Sequence, residues 1–198
     1  MKVRMISAAQ ADFRANDRDG NGLNDYWTGD VKSLYTLTSA RMDGASKDST
    51  IDPPLKLIDL SIAAADADGS FFSAGGENLR LESFTTPYES AGYWFAALMQ
   101  DRSVEGPEST YRQDTGGALP MGPCHHLTRY GFVAFPDSKD RGPWVFIINE
   151  NNTLYRSPLT GPVRLGNKAI PPGLTGIAPD YLNWPDGRTL HEGWSKKD

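Results

Sequence analysis

Apolar residues recur every three to four positions over the first sixteen residues, and in tighter alternating or continuous runs past residue 90. In the opening segment Val3, Ile6, Ala9 and Phe13 fall at helical spacing. Met5 and Ala8 widen that stripe, and neither Gly nor Pro interrupts it. The pattern predicts an amphipathic helix over Lys2 to Asn16, stopped by Asn16 and the Asp- and Gly-rich run behind it. No capping residue precedes this helix, as expected if a longer helix had been cut at Met1. A short second helix is expected over Val31 to Thr38, capped by Asp30, with Val31, Leu34 and Tyr35 turned inward. Residues 39–50 are polar and read as a loop. Asp52-Pro53-Pro54 opens a third helix over Leu55 to Ala65, burying Leu55, Ile58 and Ile62 and leaving Asp59 to solvent.

The later runs carry a different signal. Gly92–Leu98, Tyr130–Phe135, Trp144–Ile148 and the shorter Thr153–Arg156 are rich in aromatic and β-branched residues and read as strands. Asn149-Glu150-Asn151-Asn152 is a turn joining the last two as a hairpin. Short polar connections between successive strands favour antiparallel pairing. Helices first and sheet second is an α+β arrangement: an N-terminal helix and short helices packed on an antiparallel sheet of about four strands, with long loops. We read residues 1–198 as a single domain. Residues 1–66 form its helical part, 90–157 its sheet and 158–198 an irregular wrap ending in a frayed Lys196-Lys197-Asp198.

Composition narrows the class. A net charge of −5 and the lack of a basic run argue against nucleic acid as a partner. Gly and Pro, 20 and 14 in number, favour turns over a helix bundle. A single cysteine, Cys124, excludes an internal disulfide. No apolar run is long enough for a membrane span, and no secretory signal is visible at Met1.

The densest chemistry lies between Asp17 and Asp30. Asp17, Asp19 and Asn21 place oxygens at alternate positions, Gly22 follows, and Asp25 adds a carboxylate. This matches the first nine positions of a D-x-[DN]-x-[DN]-G calcium loop, in which the Leu23 carbonyl would also point inward. The twelfth position, ordinarily a bidentate acid, is Thr28; Asp30 could serve instead if the chain bends at Gly29. The expected cofactor is a structural Ca²⁺ held by Asp17, Asp19, Asn21, Leu23, Asp25 and Asp30. The alternative is a solvated turn that caps a helix.

Other candidates are sparser. Cys124-His125-His126 follows Gly122-Pro123 in an expected loop, and adjacent residues of a regular segment point apart. With His191 as the remaining imidazole, zinc or cysteine catalysis lacks an obvious full set of groups. No G-x-S-x-G elbow or phosphate loop is present, and Ser73-Ala74-Gly75-Gly76 reads as a turn. Asp66-Ala67-Asp68-Gly69 is a second small acidic turn with too few ligands to stand alone. Tyr93, Trp94, Phe95, Phe132, Phe135, Trp144 and Phe146 read as sheet core rather than as a glycan platform.

Two stretches carry a resemblance. Ile6-Ser7-Ala8-Ala9-Gln10-Ala11-Asp12-Phe13-Arg14-Ala15-Asn16-Asp17, with Trp27-Thr28-Gly29-Asp30 and Leu34, resembles the segment after the membrane anchor in bacterial type IV pilin-like and type II secretion pseudopilin-like proteins. Gly92-Tyr93-Trp94-Phe95, Tyr130-Gly131-Phe132-Val133-Ala134-Phe135-Pro136, Phe146-Ile147-Ile148-Asn149-Glu150-Asn151 and Leu154-Tyr155 are similar to the sheet of such proteins and of a related envelope family. The resemblance covers about half the chain, and the order of the motifs is its stronger part. It implies a helical spine on an antiparallel sheet, displayed from the cell envelope in the periplasm or outside the cell. It implies a structural, non-enzymatic role, with partner subunits or envelope assembly proteins met through the N-terminal helix. It also implies an apolar anchor upstream of Met1, so the expectation is either an anchor removed ahead of this sequence or an unanchored relative. Two other functions stay in view: a secreted calcium-stabilised binding module, with a glycan as candidate ligand, and an enzyme using Cys124 with His125 or His126.

Overall fold

The computed structural model describes residues 2–35, 55–67, 85, 88–113, 115, 124–137, 140–159 and 182–197. The parts of the sequence reading that concern residues 36–54, the turn at residues 73–76 and residues 160–181 lie outside these.

Helix α1 runs from Val3 to Ala15, and its stripe of Val3, Ile6, Ala9 and Phe13 is buried. The helix ends as its composition requires. Asn16 folds its side chain back to the Asp12 carbonyl at 3.1 Å. Asp17 turns left-handed at φ 43, and the Arg18 N–H returns to the Phe13 carbonyl at 3.2 Å. That is a Schellman-type stop with aspartate where glycine is usual. A two-residue strand β1 (Tyr26–Trp27) and a single 3-10 turn (Lys32–Leu34) follow.

The third helix is shorter than its sequence pattern. Helix α2 covers Leu60–Ala63 only. The Leu57 N–H is taken by the Leu34 carbonyl at 2.9 Å, and Asp59 is extended at ψ 147, so the chain enters the helix only at Leu60. Ile58 and Ile62 are nevertheless buried, and Asp59 is exposed. The pattern located the burial of Ile58 and Ile62 while overstating helical length, and Leu55, expected inside, is only half-buried.

Strands β2 (Tyr93–Ala97), β3 (Gln100–Asp101), β4 (His125–His126), β5 (Gly131–Pro136), β6 (Trp144–Asn149), β7 (Leu154–Pro158), β8 (Asn183–Trp184) and β9 (Ser195–Lys197) complete the set, with helix α3 (Gly187–Gly193) before the last. The main sheet has the order β2-β5-β6-β7-β9, antiparallel throughout. Register aligns Phe95, Ala134, Phe146 and Arg156 across it, and beside them Ala96, Val133, Ile147 and Tyr155. The interior strand β5 is buried along its whole length. α1 packs on β5 and β6, and the Ser7 hydroxyl meets the Tyr130 hydroxyl at 2.5 Å. Tyr155 is met edge-on by Trp184, with ring centres 5.7 Å apart.

The α+β class holds, with five strands rather than about four. The fifth comes from the tail expected to fray: Ser195, Lys196 and Lys197 pair with Arg156, Tyr155 and Leu154. Its residues are all exposed, so backbone pairing holds it and no apolar alternation announces it. Lysines on an edge strand also oppose further pairing. Before it, Asp186 caps α3 by accepting from the Thr189 N–H and hydroxyl, each at 2.8 Å. The described part of the C-terminal region is thus ordered into β8, α3 and β9 rather than irregular. No helix is long and apolar enough to cross a membrane among the described residues.

Candidate functional site

The segment behind α1 curls so that its acids point inward. Asp17 Oδ2 accepts the Gly22 N–H at 3.0 Å, and its carbonyl accepts the Gly20 N–H at 2.9 Å. Gly20 and Gly22 both turn left-handed, at φ 66 and 83, which lets three carboxylates converge within nine residues. Asn21 Oδ1 takes the Leu23 N–H at 2.8 Å, and Asn21 Nδ2 donates to Asp25 Oδ2 at 3.1 Å. Leu23 therefore enters this network through its N–H.

The loop closes on a residue far along the chain. His125 lies in β4, opposite Trp27 in a two-stranded antiparallel ladder with β1. The expected loop at Cys124-His125-His126 is thus a strand, because Tyr26 and Trp27 supply its partner. Its alternation sends the two imidazoles apart. His125 turns to the acids, with Nδ1 3.3 Å from Asp25 Oδ1 and Nε2 3.6 Å from Asp19 Oδ2. Asp19, Asp25 and His125 are buried and offer donor atoms that all lie within 4.8 Å of one another. Burial pushes the Asp19 carboxyl up to about 6, against the pull of His125 and with the help of Asp25 and Asp17.

Asp30 is not part of this group. Its Oδ1 accepts from the Ser33 N–H at 2.9 Å and from Trp27 Nε1 at 3.2 Å, and its Oδ2 takes the Ser33 hydroxyl at 2.9 Å. The carboxylate caps the 3-10 turn, so it does not stand in for the acid missing at Thr28. Burial raises its pKa, opposed chiefly by Lys32. Asp66, from the second acidic turn, takes the Val31 and Lys32 N–H groups at 2.9 and 2.7 Å. The second acidic turn thus contributes a cap.

The neighbouring candidates look inert. Cys124 is buried, and desolvation pushes its thiol up to about 12, with Asp30 adding and Arg112 opposing. A reactive thiol needs the opposite shift. His126 Nδ1 accepts the Thr128 and Arg129 N–H groups at 3.1 and 3.0 Å, and burial lowers its pKa. His126 is thus held through Nδ1 by two backbone donors. Among the aromatics weighed as a glycan platform, Trp94, Phe95, Phe132 and Phe135 are buried, and half-buried Trp144 is covered by the Arg156 guanidinium at 4.5 Å.

Of the six residues read from the calcium pattern, Asp19 and Asp25 meet in the cluster, and Asp17 and Asn21 support it. Leu23 closes a turn, and Asp30 caps another element. The sequence reading weighed His125 only within Cys124-His125-His126 and did not join it to the acidic loop, because that adjacency depends on pairing across about 100 positions, seen in its contact with Asp25. Comparison with protein-family models, curated proteins and solved structures finds no match.

Proposed function

We propose that this chain is a non-catalytic structural domain of the pilin-like or pseudopilin-like kind, displayed from a cell envelope, with α1 as spine and the five-stranded sheet as body. The observation that carries this reading is the seating of α1. Val3, Ile6, Ala9 and Phe13 are fully covered, and the helix lies on β5 and β6. Arg4, Met5, Ala8, Ala11 and Ala15 remain exposed along its other side. The apolar stripe is consumed inside the fold. Partner subunits therefore meet the small-residue face of Ala8, Ala11 and Ala15. The buried, high-pKa thiol of Cys124 and the backbone-held His126 support a role without nucleophilic catalysis.

The test is to express the native gene with an epitope tag, fractionate the cells, and cross-link Ala8→Cys and Ala11→Cys variants with a bifunctional maleimide. Envelope or extracellular recovery with cross-linked multimers is expected. A cytosolic, monomeric product that never cross-links at either position would reject the reading.

A further inference from the structure

Among the described residues, five buried side-chain atoms of the Asp17–Asp25 loop and β4 have no hydrogen-bond partner: His126 Nε2, on the other face of the strand, and a group of four made of Asp17 Oδ1, both oxygens of Asp19, and His125 Nε2. Buried polar groups are almost always paired, so four orphans in one place require a cause. They are contiguous. The Asp17 carboxyl lies against that of Asp19, and Asp19 Oδ2 stands 3.6 Å from His125 Nε2.

The proton on the imidazole can be assigned from its partners. Asp25 Oδ2 already accepts from Asn21 Nδ2 at 3.1 Å and from the Thr115 hydroxyl at 2.9 Å. That carboxylate is held by donors, and its Oδ1 faces His125 Nδ1 at 3.3 Å. The ring N–H belongs on Nδ1, donating to Asp25, which leaves the Nε2 lone pair aimed at Asp19. An imidazole lone pair and two carboxylates then face one another with no donor between them. A cation at their centre resolves that conflict. Two ligands about 2.0–2.1 Å from a tetrahedral zinc ion stand about 3.3 Å apart. The gap between Asp19 and His125 is therefore too long for a hydrogen bond and close to the spacing of two ligands on one ion.

We propose that Asp19 and His125 Nε2, with the Asp17 carboxylate beside them, bind one divalent ion of the zinc class, and that Asp25 is the positioning carboxylate behind the imidazole. Calcium takes six to eight oxygens, whereas an imidazole donor selects zinc and its neighbours in the first transition row. A carboxylate on the far nitrogen is the usual support of a ligating histidine. The ring is also held by packing, 5.2 Å from Trp27 and 6.3 Å from Phe13, centre to centre. The ion ties the end of α1 to β4, whatever the wider role of the domain.

The experiment uses untagged full-length protein, stripped with EDTA and titrated with Zn²⁺ by calorimetry and with Co²⁺ by visible absorption. One zinc per chain at micromolar affinity or tighter is expected, undisturbed by millimolar Ca²⁺. His125→Gln should weaken binding at least about tenfold, and Asp25→Asn by about 10–100-fold with a shifted Co²⁺ band. His191→Gln, on exposed α3, should match the wild type. Should His125→Gln fail to fold, the wild-type titrations still decide. A folded wild type that binds no zinc overturns the proposal and leaves a proton shared by Asp17 and Asp19. Calcium binding at least as tight as zinc, or zinc binding unchanged in folded His125→Gln, overturns the imidazole assignment.

Discussion

Trp27 and His125 face each other across the β1–β4 ladder, and their rings meet edge to face at 5.2 Å and 87°. This pair joins the two halves of the chain. The Trp27 backbone is gripped from α1, where Gln10 Oε1 accepts its N–H at 3.0 Å and Gln10 Nε2 donates to its carbonyl at 2.7 Å. Its indole N–H reaches Asp30. One residue thus connects the helix, the cap of the 3-10 turn and the imidazole that faces the acids.

Trp27→Phe keeps an aromatic face toward His125 but removes the indole N–H. Asp30 then loses a buried donor, a loss of about 1–3 kcal/mol. Urea denaturation should show a lower midpoint with an unchanged slope. An unchanged midpoint would mean that the Asp30 contact contributes nothing.

Asp66 gives a cleaner separation between scaffold and site. Asp66→Ala leaves the Val31 and Lys32 N–H groups without their acceptor, at a cost of about 1–2 kcal/mol. Asp66 caps the 3-10 turn and is not a member of the Asp19–Asp25–His125 cluster, so metal affinity of the folded variant should stay within twofold of wild type. A fall in thermal stability together with a large loss of affinity would show that the 3-10 turn and the acid cluster are one unit.

Gly29 is fixed by close packing. A Cβ there would sit 2.8 Å from the Trp27 ring and 3.2 Å from Cys124 Cβ, neither of which is the tip of a flexible chain. Gly29→Ala should cost about 1–3 kcal/mol through overpacking, read as a lower melting temperature. Near-UV circular dichroism should change with it, because Trp27 must move. A neutral Gly29→Ala would mean that this corner is looser than its contacts.

Legibility in the sequence followed burial. The stripe Val3, Ile6, Ala9, Phe13 and the runs that became β2, β5, β6 and β7 were readable because their apolar spacing is what the core demands. Ser195–Lys197 was not, since an exposed edge strand is specified by backbone pairing and leaves no mark on side-chain pattern. Leu55–Asp59 looked helical because it buries Ile58, yet the Leu34 carbonyl claims the Leu57 N–H. Within the site, the acids of the loop were readable from local spacing. His125 was not, because a two-residue ladder brought it there. Asp30 sits at nearly the right position for a twelfth ligand, but the nearer Ser33 and Trp27 donors take it first.

Cys124 supplies a pH test of the buried joint. Its thiol is neutral in the fold and pushed up to about 12, against 9.0 for the unperturbed group. A raised folded pKa means that the unfolded chain binds fewer protons than the folded one between those values. Stability is therefore fully present below about pH 9 and falls as pH rises toward 12. Tyr130, also pushed up to about 12 from 10.0 by burial, adds a later fall of the same sign. Cys124→Ala removes the first contribution and keeps the second. The drop in urea midpoint between pH 8 and pH 10 should accordingly be smaller in Cys124→Ala than in the wild type. Native Cys124 should also react slowly with a thiol reagent at pH 8 and at full rate once urea has unfolded the chain. Equal alkaline sensitivity of the two proteins, or fast labelling of the folded wild type, would mean that Cys124 reaches solvent and that the packing of the joint against Gly29 and Trp27 opens readily.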